Sequence, residues 1–514
     1  MKYVMIFHAN LNYAYLHPDK YEFVIRNSYE LLFDTMAENF PNTKFVFEAS
    51  GYTIEQIAKL TPDVLEKLKA AVARGACEFM GSPYAHPMLP NFPEEDGTYS
   101  IKFAMDVFEK YLGFKPKSLW NPECGWRSYV PNEAIANGAK NLIGDFEAYS
   151  RSKGIDGKPL RPEIYEKEHS DDPSFYSFDF KYDLEGSERA IHRPFQHIQG
   201  VEDGKLRMFL RTDRIAQFAV RYFMGMEGYT FEKYMDLVKK YSEEKPGDPE
   251  GALIIFADDA EYIGTNGWFR LKYQNKPDNV FEVTPDSREK LIKVITEVQT
   301  KYGEFITYDE ACNTIEPLDD VLNVDDDAAW HGARASTWAS TPLAQTLRPW
   351  QDLVREKLHA VKDTLDEATV EKVWYHLTNS FNSDGQWPPT LPHAPHIIFP
   401  FNYEYCFDNL LAAEMLVGGV DRSRLTSSSV ETIKKILTMQ QDLVLDKAND
   451  LLKNGTDEEK KNAQNAINLI MASRNLDSLK AASETLLYPS EYTVRANALI
   501  EARRLVGGVV LEKN

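Results

Sequence analysis

Tyr3-Val-Met-Ile-Phe7-His8-Ala-Asn10 is a compact apolar run that stops on polar side chains. A short run of this kind, with no polar alternation, reads as a strand buried on both faces. The same pattern returns along the chain. Lys44 to Phe47 ends at Glu48, Cys77 to Met80 at Gly81-Ser-Pro-Tyr-Ala-His86-Pro, Ser118 to Asn121 at Pro122-Glu123, and Asn141 to Gly144 follows. Leu253 to Phe256 ends at Ala257-Asp258-Asp259-Ala260-Glu261, and Phe305 to Tyr308 is the last strand expected. Helical spacing separates these runs: Tyr21 to Asn39, Pro62 to Ala73 behind Thr61, Tyr99 to Tyr111, Asn132 to Gly138, Phe231 to Tyr241 and Arg288 to Lys301. Alternating strands and helices predict a parallel sheet or barrel. In a (β/α) barrel the chemistry sits in the loops after the strands. His8, Glu48, His86, Glu123 and Asp259 all fall there.

The 514 residues exceed one ordinary domain. We expect a catalytic barrel over residues 1–313, with a polar, aromatic insertion around 150–247. After about Thr314 helical patterns dominate, so 314–514 is expected to form a helical domain. A proline-rich loop, Gln386 to Pro395, interrupts it. The formal net charge of −21 argues against nucleic acid or an anionic membrane surface as partner. It does not bear on oligomeric state. The four cysteines are scattered and form no C-x-x-C pair, which suits free thiols in a reducing compartment. No signal-peptide h-region and no run of about 18 apolar residues is present, so a cytoplasmic protein is expected.

In Ser118-Leu-Trp-Asn-Pro-Glu-Cys-Gly-Trp126 the carboxylate of Glu123 stands between two tryptophans. Aromatic faces beside carboxylates suit a sugar site. A structural ion pair explains Glu123 equally well at this point. Cleavage of a glycosidic bond needs two carboxyl groups, and Glu123 with Asp259 is the best pair. One of Asp258 and Asp259 would then cap the turn after the strand. Glu261 reads as an orienting or sugar-binding carboxylate, or a solvated charge. His8, Asn10 and His86 fit sugar hydroxyls better than a metal, which needs three or four converging ligands. Trp120, Trp268, Trp330, Trp338 and Trp387 are candidate stacking residues. Neither a G-x-S-x-G elbow nor a phosphate-binding glycine loop is present.

With these residues assembled, the chain resembles glycoside hydrolase family 57. The matching motifs are His8-Ala-Asn10, Gly81 to Pro87, Trp120-Asn-Pro-Glu123-Cys-Gly and Asp259-Ala-Glu-Tyr-Ile-Gly264. Many relatives carry a second His where this chain has Asn10. The resemblance implies an incomplete (β/α)7 barrel followed by a C-terminal helical domain that closes the cleft. It implies a retaining mechanism on α-1,4-glucans or malto-oligosaccharides, with no cofactor and no required metal. Glu123 would be the nucleophile and Asp259 the acid/base, which selects Asp259 over Asp258. His8, Asn10, His86, Trp120, Glu261, Trp268, Trp330, Trp338 and Trp387 would bind substrate. An α-amylase-type hydrolase is the first expectation. A 4-α-glucanotransferase or branching enzyme is the second. A metal-dependent polysaccharide deacetylase, with its Asp/His/His set, and a non-catalytic glucan-binding protein are the expectations from other classes.

Overall fold

The computed structural model describes the chain except residues 14–15, 17, 161–187, 245–247, 268–280, 341, 387–399, 426, 475–494, 496–497, 500, 504 and 507–514. Trp268 and Trp387 lie outside the described residues. Two compact units form: Met1–Ser340 with Phe381–Phe399, and Thr341–Ser380 with Pro400–Asn514. The first unit thus runs on past residue 313 and takes up the chain again at Phe381.

Among the described residues its framework is one sheet of nine strands: β1 Lys2–Ala9, β2 Phe45–Ser50, β3 Cys77–Ser82, β4 Ser118–Leu119, β5 Asn141–Asp145, β6 Phe195–Ile198, β7 Arg207–Arg211, β8 Ala252–Asp259 and β9 Leu318–Leu322. The spatial order is β8-β1-β2-β3-β4-β5-β7-β6-β9. From β8 to β7 every pairing is parallel, giving seven parallel strands. β6 runs antiparallel to β7, and β9 pairs parallel with β6. The two ends of the parallel run meet, because Arg211 Nε on β7 donates to Ala257 O on β8 at 3.0 Å. The sheet is therefore curled into an incomplete barrel whose strands are apolar on both faces, as the unalternated runs require. β4 is short because Pro116 and Pro122 flank it and proline offers no N–H to the ladder.

The seventh parallel strand is not the one expected. Phe305 makes only a single bridge to Tyr3. Thr307 then caps the helix Tyr308–Thr314 in a reciprocal capping box with Glu310, which ends any extended conformation. The seventh strand is β7, inside the stretch read as an insertion, so residues 207–211 belong to the barrel itself. Tyr308 is a core plug instead: its hydroxyl accepts from Phe209 N at 3.0 Å and donates to Leu142 O at 2.8 Å.

The second unit is helical, with Pro342–Val361, Glu367–Asn379, Pro400–Leu416, Ser427–Asn454 and Asp457–Ser473. Trp350, Val354, Leu377 and Leu410 are among its buried side chains, and Trp350 Nε1 donates to Glu414 Oε2 at 2.6 Å. Among the described residues no helix is long and apolar enough to cross a membrane. The four cysteines are buried and none forms a disulfide.

Candidate active site

The strand register brings three of the expected residues to one level. His8 on β1 pairs with Glu48 on β2 and with Asp259 on β8. His8 Nδ1 bonds Glu48 Oε2, and its ring stacks on Trp120 with centroids 4.8 Å apart. β3 delivers His86, whose ring lies 5.0 Å from that of His8. β4 delivers Glu123 in the tight turn Pro122–Cys124, closed by Cys124 N to Asn121 O at 2.8 Å.

Three residues of this floor have left-handed backbones without being glycine: His86 at φ 52°, Glu123 at φ 57° and Cys124 at φ 46°. Such conformations cost about 1–3 kcal/mol each and persist only where the surroundings fix them. Here the strain aims His86 and Glu123 at one another, with His86 Nδ1 3.6 Å from Glu123 Oε1.

Glu261 is fully buried just beyond Asp259. Its Oε1 accepts from Tyr29 OH and, at 2.8 Å, from Asn10 N. The Asn10 side chain turns the other way, donating to Asp384 Oδ2 at 2.7 Å. Asp384 and its neighbour Ser383 come from the segment that re-enters the first unit at Phe381. Ser383 Oγ donates to Glu123 Oε1 at 2.9 Å, and Asp384 Oδ2 is 3.9 Å from His86 Nδ1. Neither Ser383 nor Asp384 was expected from sequence. They stand three and two residues before the flagged proline-rich loop, in a stretch without periodicity. Trp120, Trp330 and Trp338 share one buried apolar cluster. Trp330 meets Trp120 edge to face at 6.0 Å, and Trp338 is fully buried.

The electrostatics divide these groups. Burial disfavours a cation on His8, but Glu48, with Asp259 and Glu261 beyond it, outweighs burial and pushes the imidazole up to about 10. Burial and the charge of His8 hold His86 well below the ordinary histidine range, so it is neutral. Burial, then the like charges of Asp258 and Glu261, lift Asp259 well above the usual carboxylate range. Burial and then Asp384 push Glu123 up to about 8, against the hydrogen bond from Ser383, the charge of His8 and the Trp330 indole. Burial brings Glu261 to about 7 against the Tyr29 hydroxyl and His8.

Asp258 faces another network, accepting from Gln217 Nε2 at 2.7 Å and from Asp259 N at 2.9 Å. At its centre is Arg211, fully buried, whose Nη1 donates to Asp145 Oδ2 at 2.9 Å and Asp213 Oδ1 at 2.5 Å. Its guanidinium lies 5.1 Å from the Trp330 ring, and Asp213 Oδ2 accepts from His331 N at 2.5 Å. Asp145, Glu147 and Asp213 converge closely enough for a metal, but Arg211 already supplies the cation there. The other converging set is His86, Glu123 and Asp384.

A family model, glycosyl hydrolase family 57, matches residues 2–321, a span that holds all seven parallel strands of the sheet. The chain belongs to glycosyl hydrolase family 57. Within family 57 it is 24% identical over 298 residues to a 4-alpha-glucanotransferase of Thermococcus kodakarensis, covering 58% of this chain and 44% of that protein. It is 27% identical over 143 residues to alpha-amylase 1 of Dictyoglomus thermophilum, covering 27% of this chain and 21% of that one. The chain therefore spans less than half the length of these relatives. A family 57 branching enzyme from Thermococcus kodakaraensis superposes with a TM-score of 0.55 at 12% identity, covering 88% of this chain and 92% of that one. The 4-alpha-glucanotransferase of Thermococcus litoralis gives 0.54 at 17%, covering 80% and 59%. At these identities the likeness is one of fold, an incomplete seven-stranded barrel.

Proposed function

We propose that this protein cleaves α-1,4-glucans or malto-oligosaccharides with retention of configuration, through a covalent glycosyl-enzyme on Glu123. The observation that carries this reading is a pair of buried carboxyl groups at the strand ends, Glu123 pushed up to about 8 and Asp259 held well above the usual carboxylate range. Asp259 is kept protonated by burial and by the like charges of Asp258 and Glu261. Burial and Asp384 raise Glu123 to about 8, and the hydrogen bond from Ser383 and the field of His8 work against that rise in favour of its carboxylate.

In the first step a Glu123 oxygen attacks the anomeric carbon. The bond to the leaving oxygen breaks, and that oxygen takes the proton of Asp259. In the second step Asp259, now a base, takes a proton from the acceptor as the ester to Glu123 breaks. Cationic His8 offsets the negative charge around the reacting carbon. Neutral His86, Asn10, Glu261 and the Trp330 ring supply contacts to sugar hydroxyls and to a pyranose face. Trp120, stacked against His8, and Trp338, in the same buried cluster, support that wall.

Water as acceptor, the α-amylase outcome, is the preferred reading. Transfer to another sugar is the second reading, favoured by the 298-residue match to a 4-alpha-glucanotransferase. Incubation with maltotriose distinguishes them: glucose and maltose mean hydrolysis, and products longer than the substrate mean transfer. Glu123→Gln should lower turnover at least about a thousandfold. Turnover at the wild-type rate would refute the mechanism.

A further inference from the structure

The segment that re-enters at Phe381 is stitched onto the loop after β3. Pro87 and Asn382 form an antiparallel bridge, and Ser383 N donates to His86 O at 3.0 Å. Asn382 Nδ2 donates to Ala85 O at 2.9 Å, and Phe381 stacks on Phe92 with centroids 3.8 Å apart. These contacts deliver the Ser383 hydroxyl between two side chains that no strand end connects. Its Oγ lies 2.9 Å from Glu123 Oε1 and 3.2 Å from His86 Nδ1. All three residues are at most 1% exposed.

The direction of this chain follows from donor and acceptor inventories. Once Glu123 is ionised its carboxylate only accepts, so the hydroxyl proton of Ser383 then points to it. The serine oxygen is then left to accept, and His86 must carry its proton on Nδ1. A neutral imidazole with Nδ1–H has its lone pair on Nε2. Among the described residues the buried His86 Nε2 has no hydrogen-bond partner. It is an acceptor held ready for a donor from outside the chain, and in a sugar site that donor is a hydroxyl.

We propose that Ser383 is a positioning residue for the nucleophile, the middle link of a one-way hydrogen-bond relay from a substrate hydroxyl, through His86 Nε2 and Nδ1–H and then Ser383 Oγ–H, to Glu123 Oε1. This rests on the assignment of Glu123 as nucleophile. Hydrogen bonds in series polarise one another. A sugar hydroxyl donated to Nε2 strengthens the Ser383 bond to Glu123 and favours the carboxylate when a sugar is in place. The other groups acting on Glu123 are Asp384 from the same segment, His8 from β1, the Trp330 indole and the adjacent Cys124. A change at Ser383 removes none of them.

The test uses α-maltosyl fluoride. Fluoride departs with little acid assistance, so kcat/KM for its release reports Glu123 whichever acceptor follows. Ser383→Ala should reduce kcat/KM about tenfold and move its acid limb up by about one pH unit, because the bond that favours the ionised form is gone. Ser383→Cys keeps the volume with a weak donor and should move the limb the same way. Ser383→Thr retains the hydroxyl and should leave the limb in place. In His86→Asn/Ser383→Ala the limb should sit where Ser383→Ala alone puts it, since His86 acts through the serine. An unmoved limb in both Ser383→Ala and Ser383→Cys, or Ser383→Thr as impaired as alanine, overturns the relay. Undiminished fluoride release by Glu123→Gln would overturn the nucleophile assignment itself, a separate outcome.

Discussion

His8 and His86 lie ring to ring at 5.0 Å and hold different charge states, His8 cationic beside Glu48 and His86 neutral through burial and the cation next to it. That division predicts the pH dependence. Glu123, pushed up to about 8, gains its charge as pH rises through that value. Asp259, raised well above its ordinary range, gives up its proton only at higher pH than a normal carboxyl. On malto-oligosaccharides kcat/KM should therefore climb from acid into mildly alkaline solution and fall once Asp259 ionises. A pH–rate profile that peaks near pH 5 and declines by pH 8 would contradict this. Glu261 carries a stability consequence. Its folded value of about 7 stands above the ordinary 4.5, so its contribution is complete below about 4.5 and is lost as pH rises through 7. Glu261→Gln removes the titration. The drop in unfolding free energy between pH 5 and pH 9, read from urea denaturation, should shrink by on the order of 3 kcal/mol. His8, His86, Glu123, Asp259 and Glu261 were legible because each follows an apolar run that stops abruptly. Ser383 and Asp384 were not: what places them is the bridge at Pro87 and Asn382, a contact across 295 residues with no local signature.

Among the elements, β7 shows why strand patterns fail at functional seams. Arg-Met-Phe-Leu-Arg carries only three apolar residues between two arginines, which reads as surface or insertion. The second arginine is nonetheless among the most buried large side chains of the chain, because Asp145 and Asp213 neutralise it and Ala257 O accepts from it. The pattern records polarity, and it cannot record that the polar group finds its partners inside. Phe305 to Tyr308 is the converse case, apolar enough for a strand but ended by the capping box of Thr307. Arg211→Met should leave two buried carboxylates without their cation and cost about 3–5 kcal/mol in chemical unfolding. Adding Asp213→Leu should recover part of that loss, because one of the orphaned charges is then gone. A single substitution with unchanged stability would mean that the seam between β7 and β8 does not depend on the ion pairs.

At the level of the whole chain, the division into a barrel followed by helices was legible from the change in periodicity. The return of the chain to the first unit over Phe381–Phe399 was legible only as the proline-rich interruption from Gln386 to Pro395, with no mark that it rejoins the first unit. A protein ending at Ser340 retains the seven parallel strands with Glu123 and Asp259 but lacks Ser383 and Asp384. It should show far-ultraviolet dichroism of a folded barrel and turn over α-maltosyl fluoride at less than about a tenth of the full-length rate, from loss of the Ser383 bond alone. Full activity in that truncation would make the re-entrant segment dispensable.

The hydrogen bond from Asn10 to Asp384 joins positions 374 residues apart. A ribosome adds roughly 5–20 residues per second, and domains tend to fold in the order they emerge. The sheet is complete in sequence at Leu322, so the barrel can collapse while the site still lacks two of its polar groups. Catalytic competence is then acquired only after the barrel's strands have been made, once Ser383 and Asp384 have followed them.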